Sequence, residues 1–236
     1  MEIAVSNVGL TSEERTDIES LLSRQNSEIS GDLAQMWYLM DLIWDESGCN
    51  NKNLNWESIG HFYSHPVWLL NGLFIEQDEV SMGHRHAISN WVVKKGFNNI
   101  VDYGGGFGTL ARLVAEKDSQ VVVDIYEPHP SDFGLRRAND FANINLTDVL
   151  GEEYECLLST DVLEHVDDPL KDFACMINKV KTGGYLIVAN CFYPVIKCHL
   201  PQNFHFRFTF NIFARLMGLR IKGGLKGSHA TIFQKN

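Results

Sequence analysis

No stretch of the chain approaches the run of about 18 apolar residues that a membrane-spanning helix needs, so the sequence predicts no membrane partner. The opening segment, MEIAVSNVGLTSEERTD, has neither a basic nor an apolar stretch. That argues against a secretory leader and makes the cytoplasm the expected location. Basic residues are scarce: 20 Lys and Arg stand against 30 Asp and Glu, a formal charge of −10. Proteins that grip a duplex draw most of their affinity from cations against phosphates, so no nucleic-acid partner is expected. No C-x-x-C pair occurs either. The five cysteines, Cys49, Cys156, Cys175, Cys191 and Cys198, stand at irregular spacings and read as reduced thiols.

What is there divides at about residue 80. Residues 1–80 read as helical with polar breaks. Thr11-Ser12-Glu13-Glu14 is a capping sequence, and Leu33, Met36, Trp37, Met40 and Ile43 form an apolar stripe at helical spacing. GCNNKNLN at 48–55 is a loop by composition, and a further helix is expected from about Glu79 to Lys95. Trp37, Trp44, Trp56 and Trp68 give this segment more apolar surface than a simple lid needs, so it is expected to be a lid or a homodimer surface. From Asn98 the pattern changes to short apolar runs at 98–103, 120–126, 154–159 and 184–191, separated by helix-like segments. That alternation predicts a parallel sheet with crossover helices. A helix-like stretch at 209–218 and two closely spaced strands, LRIKG and SHATIFQK, predict a terminal antiparallel hairpin.

The strongest local signal is IVDYGGGFGTLARLV at 100–114, in which Gly104, Gly105, Gly106 and Gly108 crowd a turn between a strand and a helix. Glycine permits unusual backbone angles there and leaves room for a ligand against the helix N-terminus. Two ligand classes remain open at this loop. Gly106-x-Gly108-x-x-Ala111 satisfies the dinucleotide pattern, and Glu127, closing VVVDIYE, suits a ribose in either class. Asp102, at the end of the first strand, would repel a pyrophosphate and tolerate an ammonium group, which tilts the reading away from dinucleotides.

With STDVLEHVDDP at 159–169 and KTGGYLIVAN at 181–190 added to VDYGGGFG and YEPHP, residues 80–236 resemble the class I S-adenosylmethionine-dependent methyltransferase family. The resemblance implies an α/β, Rossmann-like, seven-stranded, mostly parallel sheet in the order 3-2-1-4-5-7-6 with strand 7 antiparallel, here behind an N-terminal helical cap. It implies S-adenosyl-L-methionine as cofactor, with residues 81–236 as the domain that binds it. Carried over by position, Gly104, Gly106 and Gly108 would line the methionine part and Glu127 would hold the ribose. Asp148 would accept from the adenine amino group, with Val149 offering its N–H; a helix N-cap is the other reading of Asp148. Thr160 and Asp161 would end the fourth strand beside the transferring methyl, and Arg85, in GHRH, would reach the cofactor carboxylate. Tyr103 and Gly105 depart from the commoner pattern, which has an aliphatic residue and Cys or Ser.

Methyl transfer to a hydroxyl needs a base, and histidine titrates nearest neutral pH. Of nine histidines, His165 in LEHV and His199 and His205 in CFYPVIKCHLPQNFHFRF are the candidates. The latter segment is rich in aromatics, and Tyr193 and Phe206 are expected to wall the acceptor pocket, with Arg207 pairing an acidic group. His61 and His65 have helical spacing but no third ligand, and Pro66 ends the helix, so no metal is expected. The sequence thus predicts a transferase that methylates a small molecule, with a hydroxyl of a sugar, polyol or aromatic metabolite ahead of an amine. The Asn/Asp-Pro-Pro-Tyr signature of amino-directed DNA methyltransferases is absent. The rivals are an N-methyltransferase, a nicotinamide-dependent oxidoreductase and a non-catalytic cofactor-binding subunit.

Overall fold

Local chemistry fixes the ends of the first helices in the computed structural model, which describes residues 1–5 and 8–236. Thr11 caps α1 (Ser12–Leu22): its hydroxyl accepts from the Glu14 N–H at 3.2 Å, and the Glu14 carboxylate accepts from the Thr11 N–H at 2.8 Å. Three helices follow, α2 (Asp32–Glu46), α3 (Trp56–Tyr63) and α4 (Val67–Gln77). Asp78 then caps α5 (Glu79–Lys95), which Gly96 ends in the left-handed region at φ 68°. The inward face of α2 is wider than its expected stripe. Met36, Leu39, Met40, Ile43 and Trp44 are buried between neighbouring helices, whereas Leu33, in the first turn, is 46% exposed.

The remaining chain alternates β1 (Asn99–Tyr103), α6 (Thr109–Lys117), β2 (Val122–Tyr126), α7 (Asp132–Ala138), β3 (Ile144–Thr147) and β4 (Tyr154–Thr160). It continues with α8 (Pro169–Lys179), β5 (Val180–Ala189), α9 (Phe206–Leu216), β6 (Leu219–Gly224) and β7 (Thr231–Lys235). The strands form one sheet in the order β3-β2-β1-β4-β5-β7-β6, with β1 to β5 parallel and β7 antiparallel to both neighbours, as the resemblance implied. Helices cover both faces, so the central strands are apolar on both sides: Val101, Leu157, Leu158, Leu186 and Ile187 are fully buried.

A separate core unites the N-terminal helices. Ile18, Met36, Trp44, Phe62, Leu70 and Phe74 pack together with Phe107, Phe133, Cys198 and Leu200 from loops and a helix of the sheet domain. The division falls at Asp78, because α5 turns Ile88 and Val92 into the core of the sheet. Glu76 fastens the cap: its carboxylate pairs with Arg112 and Arg137 and accepts from the Thr109 hydroxyl at 2.8 Å. The cap therefore covers the carboxyl ends of the strands, where open α/β sheets place their ligands.

Candidate active site

The glycine turn between β1 and α6 is shaped by close approach and by backbone sign. Gly104 and Gly108 have φ of 70° and 72°, a region that favours glycine. A Cβ on Gly105 would stand 2.9 Å from Ile125 Cγ2 and 3.0 Å from Asp102 Oδ2, which accounts for glycine where relatives carry Cys or Ser. Gly106 faces open space, and its N–H donates to Glu127 Oε2 at 2.8 Å; the other Glu127 oxygen accepts from the His129 N–H at 2.9 Å. The end of β2 is thereby tied to the turn.

Asp102 lies beneath this turn, 1% exposed. Burial pushes its carboxyl up to about 7, against the opposing pull of the Arg85 charge and the Ala111 N–H, and its Oδ2 has no hydrogen-bond partner. Arg85, on α5, donates to Ser81 O at 3.2 Å; burial lowers its basicity, opposed by the charges of Asp161 and Asp102. Beyond β3, Asp148 and Val149 are exposed and no helix follows, so Asp148 is not an N-cap. The Val149 N–H is not free as expected: it donates to Thr147 Oγ1 at 3.1 Å, because the chain turns tightly after the strand.

Thr160 ends β4, and Asp161 follows at φ 55°, its N–H held by Ala189 O at 2.8 Å. Asp161 Oδ1 lies 3.4 Å from His229 Nε2, and His229 Nδ1 lies 3.2 Å from His84 Nδ1. The hydrogen bond to Asp161 raises the basicity of His229. Sequence reasoning missed this pair, since His229 arrives on the loop between β6 and β7 with no spacing that links it to β4.

Past Asp161, Glu164 is fully buried; its Oε1 accepts from the Cys191 N–H at 2.7 Å and its Oε2 has no partner. His165 and His199 meet edge to face with ring centroids 4.8 Å apart. Burial depresses both, His165 to about 3. Tyr63 and Trp68, from the cap, turn ring edges to His165 at 6.1 Å, and the Tyr63 hydroxyl and Trp68 Nε1 are buried without partners. His205, in contrast, is exposed, with its Nδ1 2.8 Å from Gln202 O, and stands outside this group. Tyr193, Phe206 and Arg207 do come together: with Asn190, Phe192 and His229 they line a cavity of about 160 Å³ between β5, β7 and α9. The Arg207 guanidinium lies 5.8 Å above the Tyr193 ring.

A sheet of this order, with a glycine turn after β1, an acid closing β2 and polar groups after β4, defines a Rossmann-like transferase domain. A family model described as a methyltransferase domain matches residues 76–210, and the chain belongs to that family, of the class I S-adenosylmethionine-dependent type. It is 26% identical over 157 residues to a tRNA (guanine(26)-N(2))-dimethyltransferase of Thermoplasma acidophilum, a match over 62% of this chain and 45% of that protein. The chain thus spans a little under half the length of that curated relative. Among solved structures, an O-methyltransferase family protein from Burkholderia thailandensis has TM-score 0.57 at 17% identity, covering 92% of this chain and 76% of that one. A magnesium protoporphyrin IX methyltransferase from Synechocystis, solved with bound S-adenosylmethionine, has TM-score 0.51 at 16% identity, covering 69% and 84%. These two likenesses show a shared fold.

The residues present fit the family's cofactor. The unpartnered Asp102 oxygen is an acceptor beneath the turn, suited to an ammonium group, and Gly106 leaves space where a side chain would intrude.

Proposed function

We propose that this chain is an S-adenosylmethionine-dependent methyltransferase whose acceptor is a hydroxyl on a small molecule, either a sugar or polyol or an aromatic metabolite. The observation that carries the reading is that five of the eight buried polar atoms without partners among the described residues lie on residues at the carboxyl ends of the strands or on the cap beside them: Asp102 Oδ2, Glu164 Oε2, Asn190 Oδ1, Tyr63 OH and Trp68 Nε1. Buried polar groups are nearly always paired, so this concentration supports a polar ligand there.

When bound, the cofactor supplies a methyl carbon activated by positive sulfur. Gly104, Gly106 and Gly108 admit its methionine part against the turn, with Asp102 and Arg85 facing its ammonium and carboxylate. Glu127 holds the ribose, Asp148 accepts from the adenine amino group, and Thr160 and Asp161 border the transferring methyl; the Val149 N–H, bound to Thr147, is not free for the ring. The aromatic cavity of Tyr193 and Phe206 packs the acceptor, with Arg207 at its rim. His229 lines that cavity, and Asp161 raises its basicity, so it is the imidazole best suited to take the hydroxyl proton. His165 and His199 are held neutral by burial and His205 is exposed, which makes them weaker choices.

The small-molecule acceptor, rather than nucleic acid or membrane, is favoured by the charge of −10 and by helices none of which, among the described residues, is long and apolar enough to cross a membrane. Cytoplasmic placement and a role in small-molecule biosynthesis belong to the same proposal. A second copy meeting the N-terminal helices has less apolar surface available than their tryptophans promised. Trp44 is buried in the cap, and Leu33 and Trp56 are the large apolar side chains of those helices left exposed.

Calorimetric titration with S-adenosylhomocysteine, NADH and NADPH tests the reading. Micromolar binding of the first, weakened about ten- to a hundredfold by Glu127→Ala through loss of charged hydrogen bonds, is the expected result. Binding of a dinucleotide instead would overturn it.

A further inference from the structure

We infer that Glu164, His165 and His199 form a buried binding site for a first-row divalent cation of the zinc class. The use of the metal rests on the methyltransferase reading; the site itself does not. Each of the three side chains offers one ligand atom, and these atoms lie within 4.8 Å of one another. A tetrahedral zinc ion holds its donors about 3.4 Å apart, so small side-chain rotations close the set.

Three features make this more than proximity. Both imidazoles are oriented from behind: His165 Nδ1 lies 3.0 Å from Cys198 O, and His199 Nδ1 lies 2.9 Å from Tyr193 O. A carbonyl can only accept, so each Nδ1 carries the proton and each Nε2 keeps its lone pair, the arrangement a ligating histidine needs. Glu164 is anchored by one oxygen and bare at the other. The scaffold is also fixed in advance: Asn203 Nδ2 donates to the Glu164 and Val166 carbonyls at 3.3 and 2.8 Å, and the Leu200 N–H donates to Glu164 O at 3.0 Å. These bonds clamp the loop after β4 to the segment after β5, which bring two ligands and one.

Two imidazoles and a carboxylate leave a fourth position open, as in zinc sites that do chemistry. Tyr63 and Trp68, whose hydroxyl and Nε1 lack partners, pack ring edges against His165. An ion held by these three residues would make an oxygen ligand at the fourth position more acidic. A phenol, catechol or hydroxy acid fits such a site better than an amine.

The full-length chain, stripped with EDTA and exchanged into chelator-free buffer, would be titrated with zinc chloride by calorimetry while its melting temperature is followed. One zinc per chain at micromolar or tighter affinity, with a rise in melting temperature, is expected. Glu164→Gln and His199→Gln should each weaken binding at least about tenfold, and His205→Ala and His229→Ala should leave it unchanged. S-adenosylhomocysteine is titrated into the same samples and reports whether each variant folds. Absence of stoichiometric zinc in protein that binds S-adenosylhomocysteine overturns the metal site, as does zinc lost on His229→Ala and retained by His199→Gln. Zinc bound as expected by protein that ignores S-adenosylhomocysteine upholds the site and removes the methyltransferase reading instead.

Discussion

Asp102 is asked to do two incompatible things. A carboxylate suits the ammonium of a bound cofactor, yet in the free protein it is buried with one oxygen unpaired. In the folded chain burial raises its pKa to about 7, whereas an unfolded Asp titrates near ~3.9. Between those values the folded chain keeps a proton that the unfolded chain has lost, so this group's contribution to stability declines as pH rises from about 4 to about 7. Asp102→Asn is therefore expected to stabilise the ligand-free protein at pH 8 by about 1–3 kcal/mol, and by less at pH 5, in urea melts at the two values. The same substitution should weaken S-adenosylhomocysteine about tenfold, one charged hydrogen bond's worth. Equal stabilisation at both pH values would mean that the carboxylate is ionised throughout. His229 makes the complementary case. Once an acceptor is known, His229→Ala should lower turnover about a hundredfold or more, the range for a general base, without changing cofactor affinity; turnover near the parent rate would return the role of base to another group.

At the level of elements, the cap and the sheet domain meet through Glu76. Burial works against its charge, but the hydrogen bonds and charges of Arg137, Arg112 and Thr109 outweigh this and hold its carboxyl below the usual range. The stability it contributes is thus present above about pH 4.5 and is lost as pH falls through its lowered value. Glu76→Gln leaves two arginines against a neutral amide and should cost about 3 kcal/mol, the lower end of the range for a broken buried pair, by chemical denaturation at pH 7. The sequence could not disclose this tie, because Glu76, Arg112 and Arg137 belong to three helices with no common period. The elements themselves were far more legible. Apolar runs marked β1, β2, β4 and β5, and the Thr11 and Asp78 caps mark helix starts that the pattern located. Only β3 escaped that pattern: in INLT, at the edge of the sheet, Ile144 alone is buried. The glycine turn and Glu127 were legible because each is one short motif. His229 beside Asp161, and Glu164 and His165 beside His199, were not, since tertiary contact joins segments that no spacing relates.

Across the whole molecule, charge yields a test between two kinds of acceptor. The curated relative's name assigns it a tRNA substrate, and a fold of this class can serve either nucleic acid or metabolite. A tRNA-binding face must neutralise several phosphates, and each contact steepens the fall of affinity with salt. Here the chain's formal charge is −10, and Arg207 is the one Lys or Arg among the residues lining the cavity. Further exposed cations, Arg215, Arg220 and Lys222, lie on α9 and β6. Filter binding of bulk tRNA is accordingly expected to show no retention at micromolar protein in 150 mM salt, and only weak retention, insensitive to sequence, in 50 mM salt. Retention at 150 mM with a salt slope of several ions would move the acceptor from metabolites to RNA. In that event Arg215→Ala with Arg220→Ala should reduce the slope by about two, because each cation released from a phosphate accounts for close to one unit. A slope unchanged by the double substitution would place the phosphates elsewhere on the surface.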